Sequence, residues 1–288
     1  MRSTLSRGLA GAAALATALT VVATASPANA AAESLHYVAL GDSYSAGSGV
    51  WPPDPQASPL CLRTTKNYPH VLAAATGANL TDVTCGAAET KHFYTSQYPG
   101  VAAQLDVVTA DADLVTLTIG GNDNGVFIGA IVACGTAGAA TLGYGSPCKN
   151  IYGSYFDNQV DATTYPAVKK ALRDIHAKAP TARVAILGYP SILPATKGCF
   201  TKMPIAQGDV PYLNNLQGHL NSVVKRAASE TGTTFVDLAA ALVGRDACAP
   251  IGTRWIEPVL FGTNTVPVHP NALGEAAMAD RTLAVLGL

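Results

Sequence analysis

The sequence predicts an α/β protein, a flavodoxin-like three-layer α/β/α fold around a central parallel sheet of five strands. Two observations predict it. Five short apolar or β-branched runs alternate with stretches whose apolar residues recur at helical spacing, and such alternation marks a parallel sheet covered on both faces. The residues best suited to chemistry also fall just after the runs. That is where ligands bind in such sheets, outside the carboxyl ends of the strands.

The elements follow in order. Leu35–Leu40 reads as the first strand and Asn67–Thr76 as a helix. Asn79–Thr84 reads as the second strand. Asp113–Ile119 is the clearest strand, β-branched and apolar, and it runs into a Gly-Gly turn. Tyr165, Val168, Leu172 and Ile175 form a helical stripe, followed by a strand at Arg183–Leu187. Leu213, Leu216, Leu220, Val223, Val224 and Ala227 form another stripe, followed by a strand at Thr233–Val236. Asn271–Leu286 reads as a closing helix, with Pro270 at its first helical position. Long loops are expected at 51–66, 134–148, 197–211 and 245–267.

Residues 1–30 read as a secretory signal peptide. Arg2 and Arg7 precede an uncharged Ala/Thr-rich run, and Pro27-Ala28-Asn29-Ala30 ends in a small-x-small cleavage site. Residues 31–288 are then expected to form one secreted domain, large enough for a substantial core. Without Arg2 and Arg7 the chain holds 16 basic against 19 acidic residues, so nothing steers it towards nucleic acid. No later stretch reaches the length of a membrane span.

The six cysteines are an even count in an exported chain, which favours three disulfides. Fifteen pairings are open in principle. Nearest neighbours are favoured, Cys61–Cys85, Cys134–Cys148 and Cys199–Cys248, because each pair brackets a segment that reads as a loop. No Cys-x-x-Cys pair argues for zinc, and no metal is expected.

Ser43 is the candidate nucleophile. It lies in Gly41-Asp42-Ser43-Tyr44-Ser45, directly after the first strand. A serine needs a base within reach and amide donors for the oxyanion, and a turn leading into a helix supplies N–H groups. Taken alone, Gly-Asp-Ser is equally an ordinary turn and helix cap. Asn122 follows Gly120-Gly121 at the end of the third strand, where its amide can serve an oxyanion. Gly86, after the second strand, lets a ligand approach a backbone N–H closely. His269 lies just before the last helix. His36, His176 and His219 fall inside a strand or helices, and neither His70 nor His92 sits at a strand end facing the presumed cleft.

Together Gly41-Asp42-Ser43-Tyr44-Ser45, Gly86, Gly120-Gly121-Asn122-Asp123 and His269-Pro270-Asn271 resemble, in order, the four blocks of the SGNH (GDSL) hydrolases, and in particular secreted actinomycete lipases and esterases. The resemblance implies Ser43 as nucleophile and His269 as base. It implies an oxyanion hole made of the Ser43 N–H, the Gly86 N–H and the Asn122 side chain. Most members carry an aspartate three residues before the histidine, and Val266 stands there in this chain. The expectation is therefore a Ser–His dyad, with a carbonyl between Thr265 and Pro267 accepting from Nδ1. Asp246 or Glu257 is the alternative orienting group. The α/β-hydrolase elbow Gly-x-Ser-x-Gly is not met, since position 45 is serine.

The expected function is a secreted lipase or esterase, with phospholipase activity within its scope, acting through an acyl-enzyme without cofactor. A monomer with transient contact to a lipid interface is expected. Phe127 to Val132, one to three turns beyond Asn122, is the expected acyl groove. A carbohydrate acetyl esterase and a non-catalytic binding protein on the same fold are the alternatives.

Overall fold

The computed structural model describes residues 34–288, so the signal-peptide reading of residues 1–30 lies outside the described residues. Five strands, β1 (His36–Gly41), β2 (Asn79–Asp82), β3 (Leu114–Thr118), β4 (Arg183–Leu187) and β5 (Thr234–Val236), form one sheet in the order β2-β1-β3-β4-β5. All four pairings are parallel. Tyr37 lies opposite Leu114 and Leu40 opposite Leu117, so the two central strands end level with each other.

Every residue of β3, and all of β1 after His36, is buried. That unbroken burial is what a parallel strand covered on two faces requires. The helices in chain order are α1 (Ser43–Ala46), α2 (Tyr68–Thr76), α3 (Val126–Ala140), α4 (Pro147–Tyr152), α5 (Tyr155–Gln159), α6 (Tyr165–Lys178), α7 (Val210–Ser229) and α8 (Ala272–Leu286). The step from β1 through α2 runs one way along the sheet, and those through α6 and α7 run the other. Right-handed crossovers in opposite directions put their helices on opposite faces. Accordingly α8 packs on α2 and α6 packs on α7. The buried stripes are those of the sequence pattern, Val168, Leu172 and Ile175 on α6, and Leu213, Leu216, Leu220 and Val223 on α7.

Three disulfides join Cys61 to Cys85, Cys134 to Cys148 and Cys199 to Cys248. Two expectations need correction. The 134–148 stretch is a loop only over residues 141–146. Its first part continues α3, and the bridge joins α3 to α4. Three glycines weaken the helical pattern there, and Gly138 is needed for packing, because a Cβ would sit 2.4 Å from the Pro204 carbonyl oxygen. Pro270 is not the first residue of the last helix either. Asn271 caps α8, its side chain accepting from the N–H groups of Leu273 and Gly274. Pro270 instead pairs with Ile256 in an isolated bridge.

Candidate active site

The site forms where β1 and β3 end. Gly41 closes β1 at φ +125°, and a Cβ there would lie 2.4 Å from the Thr118 carbonyl oxygen, so only glycine lets the chain turn against β3. The Asp42 N–H then donates to that same oxygen at 2.9 Å. Asp42 caps the short helix α1 by accepting from the Tyr44 N–H at 3.0 Å. It also accepts the Thr118 hydroxyl at 2.6 Å and the Tyr189 hydroxyl. Burial pushes the Asp42 carboxyl up to about 6, against these donors. Tyr189 in turn accepts from the Gly121 N–H at 2.8 Å. One buried carboxylate thus joins the ends of β1, β3 and β4.

This frame aims Ser43. Its Oγ lies 2.7 Å from Nε2 of His269, although 226 residues separate them. The other ring nitrogen, Nδ1, lies 2.7 Å from the Pro267 carbonyl oxygen. A carbonyl only accepts, so Nδ1 carries the proton and Nε2 of the neutral ring is free to take one from Ser43. Burial lowers the His269 pKa below its ordinary value, and the Pro267 carbonyl partly opposes this.

Neither acidic alternative reaches the imidazole. Asp246 accepts from the Cys248 N–H at 2.9 Å. Glu257 is fully buried and bonds Arg254 and the Thr263 N–H at 2.7 Å each, Asn271 at 2.8 Å and the Thr263 hydroxyl at 3.0 Å. Burial pushes the Glu257 carboxyl up, but Arg254, Asn271 and Thr263 together hold it below its ordinary range. Its backbone does reach the histidine loop. The Glu257 N–H donates to the His269 carbonyl, and the Val268 N–H donates back, each at 2.9 Å.

Of the three oxyanion donors read from the sequence, two face the cavity uncommitted. The Ser43 N–H has no acceptor among the described residues. The Asn122 amide gives one of its two protons to the Ala88 carbonyl at 3.1 Å, which aims the other. Gly86 requires correction. Its N–H donates to the Cys61 carbonyl at 2.7 Å and is not available to a ligand. The next residue, Ala87, lines the same cavity at φ +60°, and its N–H has no acceptor among the described residues. Ala87 follows a glycine and carries a side chain, so nothing in the sequence marks it as the residue in the left-handed region.

Ser43, Asn122 and His269 open into a cavity of about 250 Å³. Phe127, Ile128 and Ile131 of α3 form one wall. Leu60 and Leu62 form part of the other, a contribution the sequence reading missed. The signal was available, since both flank Cys61, whose partner Cys85 precedes Gly86. Tyr98, Tyr189 and Val266 also line the cavity; Tyr189 follows the end of β4 and Val266 holds the position three before His269, whereas nothing in the sequence marked Tyr98.

Residues 39–277 match the family described as GDSL-like lipase/acylhydrolase. The chain is 60% identical over 291 residues to Lipase 2 of Streptomyces coelicolor, covering all of this chain and 98% of that protein. Among solved structures, phospholipase A1 of Streptomyces albidoflavus superposes with a TM-score of 0.73 at 31% identity, covering 88% of this chain and 98% of that one. The extracellular lipase of Streptomyces rimosus superposes with a TM-score of 0.71 at 28% identity, covering 88% and 99%.

Proposed function

The chain belongs to the GDSL-like lipase/acylhydrolase family and is a carboxylic ester hydrolase, and from that premise we propose that it cleaves lipid acyl esters through a Ser43–His269 dyad. The observation that carries this reading is the 2.7 Å contact between Ser43 Oγ and His269 Nε2, with Nδ1 held on a carbonyl. His269 takes the Ser43 proton as Oγ attacks the ester carbonyl carbon. The oxyanion is held by the Ser43 N–H, the free proton of the Asn122 amide and the Ala87 N–H. The imidazolium returns the proton to the leaving alkoxide, and water then releases the acid from the acyl-enzyme by the same steps.

The cavity lining favours an acyl chain over an acetyl group. Aliphatic and aromatic side chains from α3 and the Cys61 loop dominate it, and no Lys or Arg among the described residues lines it. Leu60, Leu62 and Ile128 are exposed at its rim, and Val132, one turn along α3, is exposed as well. This supports transient seating on a lipid interface. Three disulfides and the similarity to the extracellular lipase of Streptomyces rimosus support secretion.

The test is S43A and H269A against a p-nitrophenyl ester series from acetate to long chains. Each variant should lose at least about 10³-fold in kcat, and the double variant should be no worse than either alone. Hydrolysis undiminished in S43A overturns the dyad. A strong preference for acetate overturns the lipid substrate and supports the carbohydrate acetyl esterase instead.

A further inference from the structure

The dyad lacks a carboxylate at Nδ1, so the aim of the imidazole depends on a backbone carbonyl. A carbonyl is aimed only as well as the chain that carries it. Val268 stands between the acceptor Pro267 and His269, and its φ is +61°. A β-branched residue enters that region rarely and stays there only when its surroundings over-determine it.

Two hydrogen bonds hold Val268. Its N–H goes to the Glu257 carbonyl, and its carbonyl accepts the Tyr44 hydroxyl at 2.6 Å. Tyr44 is the residue after Ser43. Its ring lies 5.0 Å from the His269 ring at a 39° tilt, and the Tyr189 ring meets it edge-on at 5.2 Å. Tyr44 is therefore attached covalently to the nucleophile and by hydrogen bond and ring contact to the loop of the base.

We infer that Tyr44 is a positioning residue for His269, holding the Val268 turn so that the Pro267 carbonyl meets Nδ1 while Nε2 meets Ser43. The inference rests on the dyad reading above. It gives the tyrosine of Gly-Asp-Ser-Tyr part of the orienting work that a carboxylate would otherwise do. The hydroxyl is already committed to Val268, so its loss should affect the reacting groups rather than substrate binding.

The test uses Tyr44→Phe, Val268→Gly and the double variant, with p-nitrophenyl butyrate as substrate and S43A as control. Tyr44→Phe should lower kcat about tenfold, the rate equivalent of one buried hydrogen bond, and leave KM within about twofold. Glycine adopts the left-handed turn freely, so Val268→Gly in the Tyr44→Phe background should restore most of the lost kcat. The His269 Nδ1 proton in ¹H NMR should exchange faster in Tyr44→Phe and slow again in the double variant. A Tyr44→Phe protein with wild-type kcat and an unchanged Nδ1 signal overturns the inference, even if its melting temperature falls. So does a kcat loss that Val268→Gly leaves in place. If S43A is inactive while Tyr44→Phe is unimpaired, only this inference fails. If S43A stays active, the dyad fails with it.

Discussion

Nδ1 of His269 donates to the carbonyl oxygen of Pro267, two residues earlier in the chain, at 2.7 Å. This places the proton-holding side of the ring on a neutral partner, whereas a carboxylate would stabilise the imidazolium by charge. The site offsets this with geometry. Its tautomer is set by the acceptor, its loop is tied to Glu257 and Tyr44, and the helix that begins at its serine is capped by Asp42 through the Tyr44 N–H.

The pH profile should reflect that neutral partner. Burial lowers the His269 pKa and no nearby carboxylate raises it, so the ring stays unprotonated into mild acid. The acid limb of kcat/KM should have its midpoint below the ordinary imidazole value of about 6.5. Asp42, pushed up to about 6, titrates nearby, so NMR titration of the His269 ring is the measurement that assigns the limb. An imidazole pKa at or above the ordinary value would contradict the partly buried, carbonyl-held ring.

Glu257→Gln should destabilise the protein by about 3–5 kcal/mol, because it leaves the fully buried Arg254 guanidinium without its counter-charge. The folded-state pKa of Glu257 is depressed, so its stabilisation is present above the ordinary carboxylate range and is lost as pH falls through the folded value. Urea unfolding from neutral pH into acid should therefore show a smaller acid-side loss in the variant than in the parent. A variant with unchanged stability at neutral pH would show the pair to be dispensable.

The bridges differ in what they hold. On the chain-entropy model, Cys199–Cys248, which closes a separation of 49 residues, is worth about 4 kcal/mol, and Cys61–Cys85, closing 24, about 3.5 kcal/mol. Replacing Cys61 and Cys85 by alanine should also lower kcat/KM, since that bridge carries Leu60, Leu62 and the Cys61 carbonyl that holds Gly86. Replacing Cys199 and Cys248 should lower the melting temperature with little effect on kcat/KM at 25 °C. Equal activity losses in both double variants would sink the distinction.

Ala87→Gly should raise stability by about 0.5–1 kcal/mol. An L-residue in the left-handed region costs about 1–2 kcal/mol, more than the backbone entropy that glycine adds to the unfolded chain. Because the contribution proposed for Ala87 is an N–H, kcat should stay within about twofold. A destabilised variant would mean that the methyl group packs better than its strained backbone suggests.

Much of the fold was legible because its signals are local. The five strands and the stripes on α6 and α7 are periodic in sequence, and period translates directly into a buried face. The α3 helix was half-missed for the opposite reason. Gly129, Gly135 and Gly138 look like breakers, and Gly138 is explained only by a distant chain segment, Pro204 to Ala206, lying against it. In the site, pattern placed Ser43, Asn122 and His269 at element ends, and the roles expected of them came from the resemblance of the ordered blocks. Gly86 misled because a glycine after a strand looks like the exposed donor, whereas the Cys61 carbonyl had already taken its N–H.

By itself the sequence determined the parallel α/β class, the ordered motif blocks and the absence of an aspartate before His269. These depend on residue type and spacing, which short-range sterics and hydrophobic period convert into structure. Only the tertiary structure decided that Pro267 meets Nδ1, that Glu257 is committed to Arg254, and that Tyr44 reaches Val268 across 224 positions. The first two join groups two and three residues apart and the third spans most of the chain, but in each the packed surroundings, not the spacing, select the partner. Their partners compete at similar energies until packing brings one of them within 3 Å.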